Sequence, residues 1–420
     1  MAQFMAERLL ASDQRKQLDL LDAGAGAGAL TDAVVDQRRS TLPRPVITLV
    51  EQDPVLAAHL DHLLTDRASE VDPSSQVVES DFITMGLEWR RMGRRFSHVI
   101  MNPPYAKIHS TSDTAAMLKA GNIVAPNLYA AFLWLGAELL RPGGKLVAIV
   151  PRMLLSGPSF RQTREHLLAR CAVSDLHHFK DRKGVFGRDA VQQEVVILGL
   201  IRSSEGTRTR YSTSIDGEDF ESSQAVSVPT PRFLSAGTDS VILVPRTTNE
   251  ATCTQPSGAA LLPTEARVSI GNVVDFRNAA HLTDSWEKAV PLIGSEVFAT
   301  SKRQRGMRLT DETRRYVWRP GSYVVVRRIS PPEYSPRLAA AVINATGPEF
   351  SQGVAFENHV LVIHENGGPL TQGAAVSLQR ALMDAGSQQQ ISERVGGTQI
   401  NAADIVALKR INDSTRSHNT

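Results

Sequence analysis

Residues 95–105 read Arg-Phe-Ser-His-Val-Ile-Met-Asn-Pro-Pro-Tyr, and this stretch decides the fold. Its first half, Phe96–Met101, has the apolar composition of a short buried strand. The two prolines of Asn102-Pro103-Pro104-Tyr105 remove two backbone donors and fix two φ angles, so the chain leaves the sheet abruptly at the carboxyl end of that strand. Ligands of open α/β sheets bind at this edge. We therefore predict an α/β sheet with a functional site around Asn102.

The tetrapeptide has the right chemistry to hold a planar amino group. The amide oxygen of Asn102 and a neighbouring backbone carbonyl can accept hydrogen bonds from an NH2 group, and Tyr105 offers a ring on which a base or amide can stack. An ordinary turn after a strand is the alternative, because Asn and Pro dominate turns for steric reasons. The residues upstream favour the functional interpretation.

Three further strands are predicted upstream, and an acidic residue ends or follows each of them. The first ends in Asp22 and continues into a glycine-rich turn at residues 22–28, which permits a tight bend into a helix. Glu51 closes the second strand, where a carboxylate can take the hydroxyls of a ribose. Asp81 follows the third strand. Single acids at strand ends are often helix caps, but four polar groups at one sheet edge, counting Asn102, indicate a binding cleft.

The alternation of predicted strands and helices up to about residue 202 indicates one α/β unit, with a polar mobile loop at residues 107–122. The composition of the 420 residues, 42% hydrophobic and 21% charged, is that of a globular protein long enough for two domains. We predict a catalytic domain at residues 1–203, an edge segment and linker at 204–263, and a second domain at 264–420.

Charge is distributed unevenly along the chain. Residues 301–337 contain ten Lys or Arg and three acids, a local charge of +7 within a chain whose net charge is +2. This pattern predicts a polyanionic partner for that region. Cys171 and Cys253 match no zinc or disulfide spacing, so we expect no metal and a cytoplasmic location. No signal peptide or membrane span is visible in the sequence.

The order of these signals resembles the amino-group DNA methyltransferases that use S-adenosylmethionine. It resembles most their gamma class, the TaqI-type adenine-N6 enzymes, and within that class the BsuBI/PstI-like modification methylases. The resemblance covers nearly the whole chain. In the first half it rests on Leu21-Asp22-Ala23-Gly24-Ala25-Gly26-Ala27-Gly28, Val50-Glu51, Asp81-Phe82, Asn102-Pro103-Pro104-Tyr105, Asn127-Leu128-Tyr129, Val150-Pro151-Arg152, Phe179-Lys180-Asp181-Arg182-Lys183-Gly184-Val185-Phe186 and Gln193-Glu194. In the second half it rests on Val268-Ser269-Ile270-Gly271-Asn272-Val273-Val274-Asp275-Phe276-Arg277, Phe356-Glu357-Asn358-His359 and Gly397-Thr398-Gln399-Ile400-Asn401-Ala402-Ala403-Asp404.

The resemblance implies a fold and a set of roles. The fold would be that of class I S-adenosylmethionine-dependent methyltransferases, a Rossmann-like mixed sheet with helices on both faces, followed by an α+β target-recognition domain. The reaction would be methylation of the N6 amino group of an adenine flipped out of double-stranded DNA, as the modification component of a restriction-modification system. The cofactor would be bound by Asp22, Gly24, Gly26, Gly28, Glu51, Asp81 and Phe82, with Glu51 on the ribose and the Asp81-Phe82 pair at the adenine ring.

For the target base, the resemblance implies that Asn102 and the Pro103 carbonyl accept the amino hydrogens, next to Pro104. Tyr105 would stack on one face of the base and Phe186 on the other. Phosphate and base contacts would come from Lys302, Arg303, Arg305, Arg308, Arg277, Gln399 and Asn401. We expect a monomer whose partner is double-stranded DNA and whose cognate restriction endonuclease, if it has one, is a separate chain.

One departure from the family and two alternatives remain at this point. Relatives usually carry a Thr-Pro-containing stretch before the segment Phe4-Met5-Ala6, and this chain begins without it, so we expect either a start codon that was placed late or an incomplete cofactor pocket. An N-methyltransferase acting on ribosomal RNA or on protein glutamine is the first alternative, because such enzymes share the glycine turn and the Asn-Pro-Pro-Tyr motif. A DNA-binding relative with impaired catalysis is the second.

Overall fold

Two compact units make up the chain, Met1–Thr254 and Gln255–Thr420. A computed structural model describes residues 1–11, 17–38, 41–180, 194–203, 208–216, 219, 224–235, 239–253, 258–299, 304–332 and 334–410. The boundary between the units falls within the stretch predicted as an edge segment and linker. No helix in the described ranges is long and apolar enough to cross a membrane.

A nine-stranded sheet forms the centre of the first unit. Its strands are β1 (Asp19–Ala23), β2 (Val46–Glu51), β3 (Gln76–Glu79), β4 (Phe96–Met101), β5 (Leu140–Pro151), β6 (Ala172–Phe179), β7 (Val195–Ile201), β8 (Arg208–Ser214) and β9 (Val226–Pro229). They lie in the order β3-β2-β1-β4-β5-β7-β6-β8-β9. The first five in that order run parallel, and β7 is antiparallel to both of its neighbours. The carboxyl ends of β1 to β4 therefore meet at one edge.

Helices cover both faces of this sheet, which explains why every residue of β1 and β4 is buried. The helices are α1 (Ala2–Leu10), α2 (Ala29–Gln37), α3 (Pro54–Asp66), α4 (Phe82–Met92), α5 (Asp113–Ala120), α6 (Leu128–Leu139), α7 (Met153–Ser156), α8 (Arg161–Leu168) and α9 (Thr248–Thr252). One hydrophobic core packs α1 and α2 against one face, and another packs α4 and α6 against the opposite face. The α/β architecture predicted for this part of the chain is confirmed.

The prediction of a loop at residues 107–122 is wrong for its second half, which forms α5. Ser112 caps this helix, and its Oγ accepts a hydrogen bond from the Ala115 N–H at 3.2 Å. The whole excursion is closed at its base by an isolated β-bridge between Lys107 and Asn127. A short helix with a weak apolar face resembles a polar loop in sequence, because only Leu118 of its residues is buried.

The second unit is built from two four-stranded sheets. Its strands are β10 (Ala266–Ile270), β11 (Leu282–Thr283), β12 (Val290–Ile293), β13 (Gly306–Met307), β14 (Gly321–Arg327), β15 (Ala340–Ala345), β16 (Ala355–Phe356) and β17 (Val360–Glu365), and its helices are α10 (Asp275–Asn278), α11 (Gln372–Met383), α12 (Ala385–Arg394) and α13 (Ala402–Val406). The strand orders are β10-β17-β14-β15 and β11-β13-β12-β16. Residues of α11, α12 and α13 share a core with alternate residues of β14 and β17, so the unit is α+β.

Candidate active site

A cleft of about 230 Å³ opens at the carboxyl ends of the first four strands. Residues that follow or end four different strands line it together, which is what the alignment of strand ends predicted. The lining residues are Gly24, Val50, Glu51, Gln52, Ser80, Asp81, Phe82, Asn102, Pro104, Leu128 and Phe132. The cleft thus joins the positions expected to hold a cofactor to the positions expected to hold a target base.

The glycine-rich turn forms one wall of this cleft. Gly24 has a φ of +72°, and a Cβ there would lie 3.3 Å from Cε1 of Phe132. The backbone N–H of Gly24 donates to the Val50 carbonyl at 3.0 Å, which fixes the turn against β2. Gly28, with a φ of +82°, starts α2, and a Cβ there would lie 2.6 Å from the Leu63 side chain. The positive φ angles therefore favour glycine at both positions, and at Gly28 the close contact with Leu63 adds a steric reason.

Glu51 is held rigidly at the end of β2. Its Oε2 accepts a hydrogen bond from the Gly26 N–H at 2.8 Å, and its Oε1 accepts one from the Asp53 N–H at 2.9 Å. The residue is only 8% exposed, yet it lines the cleft. A carboxylate offers about four lone-pair sites, so two remain for donors such as hydroxyl groups.

Asp22 lies beneath the turn and not in the cleft. It is fully buried, and its Oδ2 accepts a hydrogen bond from the Thr31 hydroxyl at 2.7 Å. Its Oδ1 is buried and has no hydrogen-bond partner in the described part of the chain. Burial raises the pKa of this carboxyl to about 7. We predicted that Asp22 would share a cleft with Glu51, Asp81 and Asn102, and the structure shows that Asp22 does not line it.

Asp81 serves as a helix cap and as a cleft residue at once. Its Oδ2 accepts hydrogen bonds from the backbone N–H and the hydroxyl of Thr84, at 2.9 and 3.0 Å. No hydrogen bond within the described ranges involves its Oδ1. The Phe82 ring beside it is 4.7 Å from the Phe132 ring, and both rings line the cleft. This corner therefore combines a hydrogen-bond acceptor with two flat apolar surfaces.

Asn102 is exposed at the strand tip and faces the cleft, while Pro103 is buried and Pro104 lines the cleft. Tyr105 is half-buried, with its ring 5.8 Å from the Tyr129 ring at a steep angle. Burial raises the pKa of Tyr105 above its ordinary value, so its hydroxyl stays neutral.

Two of the expected site features need a separate remark. Phe186, expected as the second stacking face, lies outside the described residues. Phe132 was not predicted as a site residue, although it contacts both the turn and Phe82. The sequence does contain a signal for Phe132. It lies one helical turn after Tyr129, and Tyr129 belongs to the motif Asn127-Leu128-Tyr129 that carries the family resemblance.

The expected DNA-contact residues of the second unit differ in how many hydrogen bonds and ion pairs they form within that unit. Arg277 and Arg308 are exposed, and Lys302 and Arg303 lie outside the described residues. The guanidinium of Arg305 is 2.6 Å from Asp275 and 3.4 Å from Glu357, and it is mostly buried. Gln399, oriented with its amide oxygen toward Arg328, accepts from Nε at 3.0 Å. Asn401 caps α13 and donates its backbone N–H to Asp404 at 2.9 Å.

Four segments of the second unit come together and form what we call the recognition rim: residues 271–277, 328–330, 357–359 and 398–400. The Asn358 N–H donates to the Val273 carbonyl at 2.9 Å, and the Arg328 N–H donates to the His359 carbonyl at 3.0 Å. The Ser330 N–H donates to the Thr398 carbonyl at 2.7 Å. Backbone hydrogen bonds thus unite blocks that are far apart in sequence.

The sequence of this chain is similar to those of known methyltransferases. Residues 44–186 match the model of the family described as "Eco57I restriction-modification methylase". The chain is 30% identical to the type II methyltransferase M.BsuBI of Bacillus subtilis, over 96% of this chain and 84% of that protein. It is also 30% identical to the type II methyltransferase M.PstI of Providencia stuartii, over 93% of this chain and 82% of that protein.

Solved structures show the same fold at low sequence identity. The type IIL restriction-modification enzyme MmeI, solved in complex with DNA, superposes with a TM-score of 0.57 at 12% identity, covering 98% of this chain and 65% of MmeI. The DrdV–DNA complex gives a TM-score of 0.50 at 12% identity, covering 90% of this chain and 50% of DrdV. The likeness to MmeI spans nearly all of this chain, so both units take part in it.

Proposed function

Because the chain belongs to the restriction-modification methyltransferases represented by M.BsuBI and M.PstI, we propose that it methylates the N6 amino group of a specific adenine in double-stranded DNA. Membership in this family confirms that the chain is a DNA methyltransferase, that its cofactor is S-adenosylmethionine and that its fold class is the predicted one. It favours DNA over the alternative substrates, ribosomal RNA and protein glutamine. The choice of adenine and the roles of individual residues are our proposal.

One observation carries the proposal: a single cleft contains both Glu51 and Asn102. The first is the kind of group that binds ribose hydroxyls, and the second is the kind that binds an exocyclic amino group. Transfer between two bound molecules requires their reacting atoms to lie about 3–3.5 Å apart. Groups on adjacent walls of one cleft can satisfy this requirement.

The residues present fit S-adenosylmethionine. Gly24 leaves open the space that a Cβ would fill beside Phe132, and Phe82 offers a flat apolar surface. The free lone pairs of Glu51 suit the two ribose hydroxyls, and Oδ1 of Asp81 suits the adenine amino group. When bound, the cofactor supplies an electrophilic methyl group on a sulfonium sulfur.

We assign the chemistry of the target base to Asn102 and Pro103. The lone pair of an exocyclic amino group is delocalised into the ring, so the group is a poor nucleophile. Two acceptors, the Asn102 amide oxygen and the Pro103 carbonyl oxygen, would bind its two hydrogens and favour a tetrahedral nitrogen. They would also stabilise the positive charge that develops on the nitrogen as the new N–C bond forms and the bond from the methyl group to sulfur breaks, leaving a neutral thioether. One proton of the amino group would then pass to water.

The target base must leave the duplex to reach this strand tip, which costs a few kcal/mol. Stacking on Tyr105 would offset much of that cost, since one base–aromatic contact contributes about 1–3 kcal/mol. Packing of the Tyr105 ring against Tyr129, which in turn stacks on Phe160 at 5.4 Å, supports such a surface.

Attack on a cytosine ring carbon is not favoured, because that chemistry needs a reactive cysteine. Cys171 is buried, and burial raises the pKa of its thiol to about 11. Cys253 is exposed just beyond the C-terminal end of α9, and it is not among the residues that line the cleft. Amino-group methylation requires neither thiol.

Target recognition would fall to the second unit, as the predicted domain division has it. Arg277 and Arg308 are the exposed candidates for backbone and base contacts among the described residues. Arg305, Gln399 and Asn401 bind groups within their own unit, so their contribution would be to shape this surface. We further propose that the enzyme acts as a monomer and that any cognate endonuclease is a separate chain.

Long-read sequencing of DNA from cells that express the chain tests the proposal directly. We expect one short sequence context to carry N6-methyladenine. Asn102→Ala should lower methyl transfer in vitro by about a hundredfold or more while leaving cofactor affinity intact. Asn249→Ala, an exposed asparagine on α9, is the matched control and should keep full activity. Modified cytosine, or an active Asn102→Ala variant, would overturn the proposal.

A further inference from the structure

Phe276 is exposed to a degree that its own unit does not explain. Its side chain is 79% exposed, the highest value among the large hydrophobic residues of the described ranges. It stands on α10 within the recognition rim, and it belongs to no hydrophobic cluster in the described part of the chain. An aromatic ring left in water in this way stabilises nothing in its own unit and is available to a partner.

The helix that displays Phe276 is short but firmly fixed. Asp275, the preceding residue, forms an ion pair with Arg305 at 2.6 Å. Asn278 is 7% exposed, and its Nδ2 donates to the Val274 carbonyl at 2.8 Å. The residues on both sides of the Phe276-Arg277 pair are thus bonded within their own unit. The pair itself is consequently held outward by its neighbours.

The exposed surroundings of the ring are mostly polar, with one further exposed apolar residue, Ile329, on the same rim. The Arg277 guanidinium lies 5.5 Å from the ring centroid of Phe276. Asn272, His359 and Thr398 are exposed elsewhere on the same rim. A protein partner would favour a contiguous apolar patch, whereas one flat ring framed by a cation and hydrogen-bonding groups suits stacked bases bordered by phosphates.

We propose that Phe276 inserts between two base pairs of the bound duplex while Arg277 contacts the adjacent phosphate or base edge. This inference rests on the proposed function and adds a positioning residue for the target strand. Apolar side chains inserted at a base step unstack it and kink the duplex. Unstacking of a base step lowers the cost of rotating a neighbouring base out of the helix.

The test uses the full chain and duplexes that contain the methylated site found by sequencing, each with one 2-aminopurine at a position other than the target. The wild type should raise 2-aminopurine fluorescence at one base step, which reports unstacking there. Phe276→Ala should abolish that increase and weaken duplex binding by about ten- to a hundredfold, raising KM for DNA without changing cofactor affinity. Phe276→Trp should restore both signals.

Val55→Ala is the matched control, since Val55 on α3 is 76% exposed and lies in the other unit. It should change neither binding nor fluorescence. Equal melting temperatures of the three variants would show that folding is unaffected, as the exposure of Phe276 predicts. The inference would be overturned if the wild type raised 2-aminopurine fluorescence at no base step, or if Phe276→Ala raised it at the same step as the wild type. Either result would favour a protein partner for this ring. A wild-type chain that transfers no methyl group to DNA would overturn the proposed function instead.

Discussion

Replacing Glu51 by glutamine tests whether this carboxylate organises the cofactor end of the cleft. The native side chain accepts two backbone hydrogen bonds, from Gly26 at 2.8 Å and from Asp53 at 2.9 Å. Glutamine has one oxygen, so its NH2 group would face one of these N–H donors, and that hydrogen bond would be lost. The remaining oxygen would also have fewer lone pairs for ribose hydroxyls.

The size of the change in cofactor affinity follows from the hydrogen bonds that the ribose hydroxyls would lose. A hydrogen bond to a charged group contributes about 1.5–3 kcal/mol, and each 1.4 kcal/mol changes a dissociation constant about tenfold. We therefore expect Glu51→Gln to raise the dissociation constant for S-adenosylmethionine by about ten- to a hundredfold. Isothermal titration calorimetry with the purified chain measures this directly.

Glu79→Gln provides the matched control for Glu51→Gln. Glu79 is the same residue type, pairs with Glu51 in the register of β2 and β3, and is exposed without lining the cleft. It should bind the cofactor as the wild type does. An unchanged dissociation constant for Glu51→Gln, or equal weakening by Glu79→Gln, would refute the assignment of Glu51.

Three further predictions concern stability and are measured by urea unfolding. Asp22→Asn should raise the free energy of unfolding at pH 8 by up to about 4 kcal/mol, because it removes a buried carboxyl whose pKa is raised to about 7. This gain over the wild type should shrink as the pH falls from 7 towards 4, because the wild-type carboxyl then becomes neutral. A pH-independent difference would contradict this. Gly28→Ala should destabilise by about 1–3 kcal/mol, because the φ of +82° and the 2.6 Å contact with Leu63 oppose a Cβ, whereas Gly373→Ala, with no atom within 4 Å, should not. Arg305→Met should destabilise the second unit by about 3 kcal/mol or more, because Asp275 and Glu357 would lose the cation that both of them contact. An unchanged free energy of unfolding would show that these two ion pairs contribute little.

The sequence predicts the central part of the first sheet well because its strands carry strong local signals. Phe96–Met101 is mostly apolar and is followed by Asn102 and two prolines, and the structure has this strand at the predicted bounds. Three of the four aligned polar groups meet in one cleft for the same reason, since parallel strands end at one edge.

Features that depend on distant partners were not predictable. The strand β8 (Arg208–Ser214) contains mostly polar residues, and its burial depends on contacts such as that of Arg210 Nε with Asp175 at 2.8 Å. Arg305 lies in a basic stretch that predicts phosphate contacts, but acids from elsewhere in its unit neutralise it. Local composition cannot distinguish a cation bound by its own chain from one available to a ligand.

The excursion that contains α5 leaves and rejoins the fold at a single point. Its two ends are fastened by the Lys107–Asn127 bridge, and the Leu128 N–H donates to the Ala106 carbonyl at 3.0 Å. Between these ends, Leu118 and Ile123 enter the core of the first unit, and Arg90 donates to the Gly121 carbonyl at 2.6 Å, so variation should concentrate at exposed positions such as residues 109–111. Evolution, or a protein engineer, can therefore change these exposed positions while the strand tip before them and the helix after them keep their geometry.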